Sequence, residues 1–307
     1  MAPMKRLIVL GLLVAGGGVS IGVAARQQPA APSIEVEKLR DNLFVLKGGG
    51  GNTAVFVTAT GVVVVDTKIP GWGQPLIAKI KELTPKPVTT IVNTHTHGDH
   101  VAGNVDFPPA VEIIAHENTK ANMEAMRVVA GAPQSAAWTG IFKESKGRGL
   151  PTRAYKDRLS IGSGADQVDL RYFGRGHTDG DTWVLFAAHR IVHAGDIFSG
   201  KNLPLLDSNN GGTGVEIGET LAKAAAGLGK VDGIITGHST VMTLDDLKTY
   251  AAFNRDFLEA VRAAKQAGRS VDEFVSSWTM PAKYAGYTAP APARLRANAE
   301  VIFNELK

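Results

Sequence analysis

This sequence predicts a single α/β domain, a four-layer αββα sandwich with two sheets inside and helices outside. Three observations point there. Short apolar β-like runs open the chain, strand and helix patterns then alternate, and the strand-rich and alternating stretches repeat once more. Two sheets with helices packed outside satisfy that order. Histidine and aspartate residues follow the ends of several strands, so they would converge at one edge, where ligand sites of α/β folds lie.

The elements follow in order. Lys5 and Arg6 precede an apolar, glycine-rich run, Leu7 to Val23, and the small residues Val23-Ala24-Ala25 offer a cleavage site. That is an export-signal pattern, so residues 1–25 are expected to direct the chain to the periplasm or outside the cell. The alternative is an uncleaved membrane anchor, because the run approaches the roughly 17–25 residues of a span. Residues 26–33 read as a flexible Gln/Pro/Ala linker, and residues 34–307 as the folded domain with its C-terminal helices.

Strands are expected at Ile34–Leu39, Leu43–Lys47, Thr53–Thr58 and Val62–Asp66, each bounded by Gly, Asn or Asp turn chemistry. Gly48 to Gly51 form a loop between two of them. Gln74–Leu83 is helical, ended by Pro85 and Pro87. Val88–Asn93 and Val111–Ala115 read as strands and Asn118–Val129 as a helix. Residues 131–153 look like an irregular insertion. Strands return at Gln167–Tyr172, Trp183–Ala187, Arg190–His193 and Gly233–Thr236, with a helix near Val215–Gly227. Leu244–Ala267, Val271–Trp278 and Ala291–Leu306 close the chain as helices.

Composition narrows the function. Hydrophobic residues make up 44% and charged residues 20% of the 307, which fits a soluble globular chain able to bury its own core. There is no cysteine, which excludes disulfides, thiolate metal sites and a cysteine nucleophile. Net charge is +4; removing residues 1–25 takes away Lys5 and Arg6 and no acid, leaving +2. So small a balance gives no case for a nucleic-acid partner. Any membrane partner would act through an uncleaved N-terminal segment.

The strand Val88–Asn93 runs into Thr94-His95-Thr96-His97-Gly98-Asp99-His100, which holds three of the eight histidines. Imidazole and carboxylate donors suit zinc and similar ions. His95 and His97, two apart in extended backbone, share a face and can hold one ion together. Asp99 and His100 follow a glycine where the chain can turn, so they point elsewhere and can hold a second. His177, Asp196 and His238 come later, each after a strand and each directly preceded by glycine.

Together, His95-x-His97-x-Asp99-His100, His177, Asp196 and His238 form a pattern that resembles the metallo-β-lactamase-fold hydrolases over about residues 34–240. The resemblance implies a metallo-β-lactamase-type αββα sandwich with two Zn²⁺ per chain, iron or manganese being the alternatives. It implies His95, His97 and His177 on one zinc, Asp99, His100 and His238 on the other, and Asp196 as the bridge. A metal-bridging hydroxide would then attack a small-molecule ester, thioester, lactone or amide, with Asp99 orienting it or carrying a proton.

Asp196 stands where many β-lactamases of this fold carry a cysteine, Ser199 where they often carry a lysine, and the Gly48–Gly51 loop lacks an aromatic flap. Asp196 as bridge resembles glyoxalase II and ribonuclease Z instead, and Gly174-x-Gly176-His177-Thr178 resembles an element of glyoxalase II. A secreted β-lactamase and a catalytically silent periplasmic metal-binding protein are the remaining readings.

Among the other polar residues, His116 reads as structural or surface, His189 as solvated, and His193 as a packed strand residue. Asp179 and Asp181 are candidates to orient a ligand or cap a turn. Lys201, Asn209 and Asn210 are candidate substrate contacts. Trp138 and Phe142 are candidates for a lid or for local packing.

Overall fold

A computed structural model describes residues 33–132 and 140–307. The expected export segment, the linker except Ser33, and Trp138 lie outside the described residues.

Seven strands form the first sheet in chain order: β1 (Glu35–Arg40), β2 (Leu43–Lys47), β3 (Thr53–Val57), β4 (Val62–Val65), β5 (Val88–Val92), β6 (Glu112–His116) and β7 (Arg153–Tyr155). Pairing is antiparallel from β1 to β4 and parallel from β4 to β7. The second sheet comprises β8 (Arg158–Ile161), β9 (Val168–Arg171), β10 (Trp183–Phe186), β11 (Ile191–Gly195) and β12 (Gly233–Thr236), ordered β12-β11-β10-β9-β8. Only β11 and β12 pair in parallel there. The helices are α1 (Gly73–Leu83), α2 (Gly98–Val101), α3 (Glu117–Ala125), α4 (Ile141–Glu144), α5 (Ile217–Gly227), α6 (Leu244–Gln266), α7 (Val271–Ser277) and α8 (Pro292–Glu305).

Period-two alternation explains the layers. In β4, Val63 and Val65 enter the core between the sheets, while Val62 and Val64 pack with Leu76 and Ile80 of α1. In β10, Val184 and Phe186 face the inter-sheet core, and Trp183 and Leu185 face the helical layer with Leu221 of α5 and Tyr250 of α6. Ile235 and Ile234 of β12 divide the same way. Strands buried on both faces read as continuous apolar runs, as these do.

Three expectations change. β7 and β8 were not expected: β7 begins at the end of the expected insertion, and no element was assigned to β8. The helix expected to Val129 stops at Ala125, because Met126 turns left-handed (φ 49°) and its N–H closes on Asn122 O. The 131–153 stretch is not irregular throughout: Phe142 of α4 is buried with Val101, Ala102 and Met123, so it is local packing and no lid. No helix among the described residues is long and apolar enough to cross a membrane.

The site sits where strands end. β4 runs into Asp66, β5 into Thr94–His97, β11 into Asp196 and β12 into His238.

Candidate metal centre

All seven candidate residues from the sequence come together at that edge. Ligand-type atoms of His95, His97, His177 and Asp196 lie within 4.8 Å of one another, as do those of Asp99, His100 and His238. His97 Nδ1 is 3.1 Å from His177 Nε2, and His100 Nε2 is 3.3 Å from His238 Nε2. Asp196 stands between the groups: its Oδ2 is 3.9 Å from His177 Nε2 and 3.2 Å from His238 Nε2, and its Oδ1 is 3.2 Å from His100 Nε2. Asp99 Oδ2 is 3.1 Å from His238 Nε2.

Each buried histidine has its outer nitrogen engaged, which fixes the tautomer. His97 Nε2 meets Asp207 Oδ2 at 2.8 Å, His177 Nδ1 meets Leu205 O at 2.7 Å, and His100 Nδ1 meets Asp66 Oδ2 at 2.7 Å. Thr94 Oγ1 donates to Asp66 Oδ2 at 2.7 Å, so it accepts the Nδ1–H of His95 at 2.9 Å. In the neutral rings, His95 and His177, the inner nitrogens therefore carry lone pairs aimed inward. His95 Nε2 is buried with no hydrogen-bond partner, and Asp196 Oδ1, despite its closeness to His100, makes no well-formed hydrogen bond. Facing lone pairs and orphaned acceptors are the arrangement a cation completes. Asp66, His95 and His100 also form a close group, but the Asp66 oxygens already accept from Thr94 N–H, Thr94 O–H and His100, so Asp66 orients ligands.

Electrostatics divide the cluster. Burial lowers the pKa of His95 well below the ordinary value, helped by His100 and His177. Burial and the neighbouring His97 bring His177 down to about 4. Burial also opposes charge on His100 and His238, but carboxylates win. Asp99, Asp196 and Asp66 raise His100 well above its ordinary value, and Asp196 and Asp99 raise His238 to about 9. Burial would raise Asp99; His100 and His238 outweigh it and lower it to about 2.

Local backbone makes this crowding feasible. A Cβ on Gly237 would collide with Asp196 Oδ1, and one on Gly51 with the His100 ring. Gly51 N–H donates to Asp99 O at 3.1 Å, so the glycine loop backs the ligands rather than capping them. Lys68 Nζ, fully buried, holds that loop through Gly51 O at 2.7 Å and Leu46 O at 2.6 Å.

The remaining candidates sort out as follows. His116 caps α3 through Nδ1 and is buried, hence structural. His189 is half-buried edge-on to Phe56 rather than solvated. His193 is packed in β11, its Nε2 3.0 Å from Asn52 O. Asp181 closes the His177 turn by accepting from Thr178 N–H and O–H, while Asp179 accepts from Asn122. The three substrate-contact candidates face elsewhere: Lys201 pairs with Asp246 at 2.7 Å, Asn209 donates to Val128 O, and Asn210 is buried against Asp207. Sequence reading passed over Asp66, Asp207 and Arg294. Asp66 had a signal, an aspartate ending an apolar strand as Asp196 does.

Residues 46–257 match the family model of the metallo-beta-lactamase superfamily. The chain belongs to that superfamily. It is similar to the 2,4-dinitroanisole O-demethylase subunit alpha of Nocardioides sp. (strain JS1661), 31% identical over 174 residues, which are 55% of this chain and 48% of that protein. The chain thus spans about half that relative's length. Among solved structures, a sec-alkylsulfatase from Pseudomonas sp. superposes with a TM-score of 0.70 at 13% identity, over 89% of this chain and 50% of that one. A metallo-beta-lactamase from Pontibacter korlensis superposes with a TM-score of 0.58 at 17% identity, over 73% and 99%. These likenesses show the αββα fold. The His/Asp cluster of this superfamily member is a group that could hold metal.

Proposed function

We propose that the protein is a dinuclear zinc hydrolase of small-molecule esters, thioesters, lactones or amides, exported to the periplasm or beyond. The observation that carries this is Asp196 standing between two groups of ligand atoms. His95, His97 and His177 would hold one ion, Asp99, His100 and His238 the other, and Asp196 both. The donor set is all nitrogen and oxygen, which fits zinc, with iron or manganese as alternatives. When bound, such ions make water acidic near neutral pH and polarise the scissile oxygen.

The chain's own residues do the rest. Asp66, Asp207, Thr94 and Leu205 O keep the imidazoles in the tautomers that bind. Asp99, partly exposed at the cavity, would orient the attacking water and carry its proton to the departing group. The water oxygen would bond to the carbonyl carbon, and that carbon's bond to oxygen, sulfur or nitrogen would break as the leaving atom takes the proton. Asp196 bridging supports the reading of a general hydrolase over that of a β-lactamase.

Elemental analysis of the purified chain tests the metal, and a panel of esters, thioesters, lactones, β-lactams and an aryl methyl ether tests the chemistry. The methyl ether is included because of the demethylase relative. The reading predicts stoichiometric zinc and hydrolysis lost in the doubly substituted His95→Ala, His97→Ala variant. Metal-free protein, or undiminished hydrolysis in that variant, contradicts it. Export rests on Lys5, Arg6 and the apolar run before Val23-Ala24-Ala25; N-terminal sequencing of the mature chain tests it.

A further inference from the structure

A cavity of about 650 Å³ opens over the centre. His97, Asp99, Asp196 and His238 form part of its wall, and apolar side chains such as Ile69, Leu203 and Leu205 form another part. Arg294, in the first turn of α8, also lines it. Its Nη1 is buried with no hydrogen-bond partner, and it has no ion-pair partner among the described residues. Arg296, two residues on in the same helix, pairs with Asp272.

An arginine cannot shed its charge as a buried lysine can. Arg294 is partly buried, and leaving the Nη1 edge of its guanidinium desolvated without an anion is costly. Two groups act on it electrostatically, Tyr250 and Asp196. Tyr250 supplies no counter-charge at neutral pH, because burial drives its phenol far up the scale. Asp196 lies among five histidines and is committed to the centre. The positive charge is therefore left to something that enters the cavity. Because Arg294 and Asp196 line the same cavity, that group would share the chamber with the reacting bond.

We propose that Arg294 selects the substrate: it binds an anionic group, a carboxylate or sulfonate-like oxyanion, on a small molecule whose apolar part lies against Ile69, Leu203 and Leu205. The word substrate rests on the hydrolase reading above; the anion binding does not.

The test uses the zinc-loaded full chain and two six-carbon probes, 1-hexanesulfonate and neutral 1-hexanol, in titration calorimetry. A sulfonate is a poor metal ligand and is not hydrolysed, so binding is read apart from turnover. The sulfonate should bind at least about tenfold tighter than the alcohol, as a charge-assisted contact requires. Arg294→Gln should abolish that preference, and Arg294→Lys should keep part of it. Metal content and melting temperature on the same samples show that the variants are folded; if Arg294→Gln is not, a weakened preference in Arg294→Lys carries the test. Equal affinity for both probes in the wild type, or unchanged sulfonate affinity in the folded variants, overturns the proposal.

A kinetic arm separates the two readings. The KM for mono-4-nitrophenyl glutarate should rise about tenfold in Arg294→Gln relative to that for neutral 4-nitrophenyl valerate. A chain that hydrolyses nothing, yet loses sulfonate binding in Arg294→Gln, overturns the hydrolase reading and keeps this one. A chain that hydrolyses both esters, with Arg294→Gln indifferent, does the reverse.

Discussion

His95 and His177 are sealed beneath the cavity, 1% and 0% exposed, and His97 shows it only an edge, 4% exposed. Across Asp196, the His238 side chain is 40% exposed and that of Asp99 32%. The sealed half holds imidazoles whose inner lone pairs find no hydrogen, and burial disfavours protons on His95 and His177. The open half carries its own counter-charges, with His100 and His238 drawn upward by Asp99 and Asp196. The difference separates two tasks. In the proposed centre the sealed half is a rigid anchor held by surrounding acceptors, and the open half meets the substrate.

Substitution of one histidine from each half should expose that contrast most strongly. His177→Ala removes a fully buried ring and its bond to Leu205 O, and should lower Tm by roughly 5 °C as well as metal content. His238→Ala should lower metal content with little change in Tm, because its side chain is already exposed. Thermal melts beside elemental analysis read both; equal Tm losses would erase the distinction.

Smaller effects follow from the orienting acids. Asp66 serves both halves, through Thr94 and His95 on one side and His100 on the other. Asp207 touches only His97 of the ligands. Asp66→Asn should therefore weaken both metal positions by about 10–100-fold, and Asp207→Asn only one. Competitive chelator titration distinguishes one affected step from two.

Lys68 gives a pH signature to the loop behind the open half. Burial pushes its ammonium down to about 7 from the ordinary 10.5, against the pull of Asp66 and Asp99. The unfolded chain then binds more protons between those values, so this group's penalty is undiminished below about 7 and is relieved as pH rises toward 10.5. Denaturant melts should show the wild type gaining stability relative to Lys68→Met across that window. Parallel pH profiles would place the lysine in an ordinary environment. The smallest effect belongs to Lys201→Ala. Its pairing with Asp246 lies at the surface, so stability should change by less than about 1 kcal/mol and KM should not move.

The fold was legible wherever strands were apolar on both faces. Val62–Val65 and Trp183–Phe186 had no reading but buried strand, and their bounds shifted by a residue. β7 and β8 were not legible, because Arg153–Tyr155 and Arg158–Ile161 are short, arginine-bearing and largely exposed. The candidate ligands stood out because histidine is scarce, three fall between His95 and His100, and His177, Asp196 and His238 each follow a strand and a glycine. Their supports did not. A backbone carbonyl such as Leu205 O has no sequence signature, Asp207 is one acid in a polar loop, and Arg294 is one arginine in a helix that carries another.

The most direct measurement of the two-half centre is native mass spectrometry of the zinc-loaded wild type beside His238→Ala. The wild type should carry two ions, and the variant one, retained by His95, His97 and His177 with Asp196. A single ion in the wild type, or a variant that loses both or neither, would contradict the account.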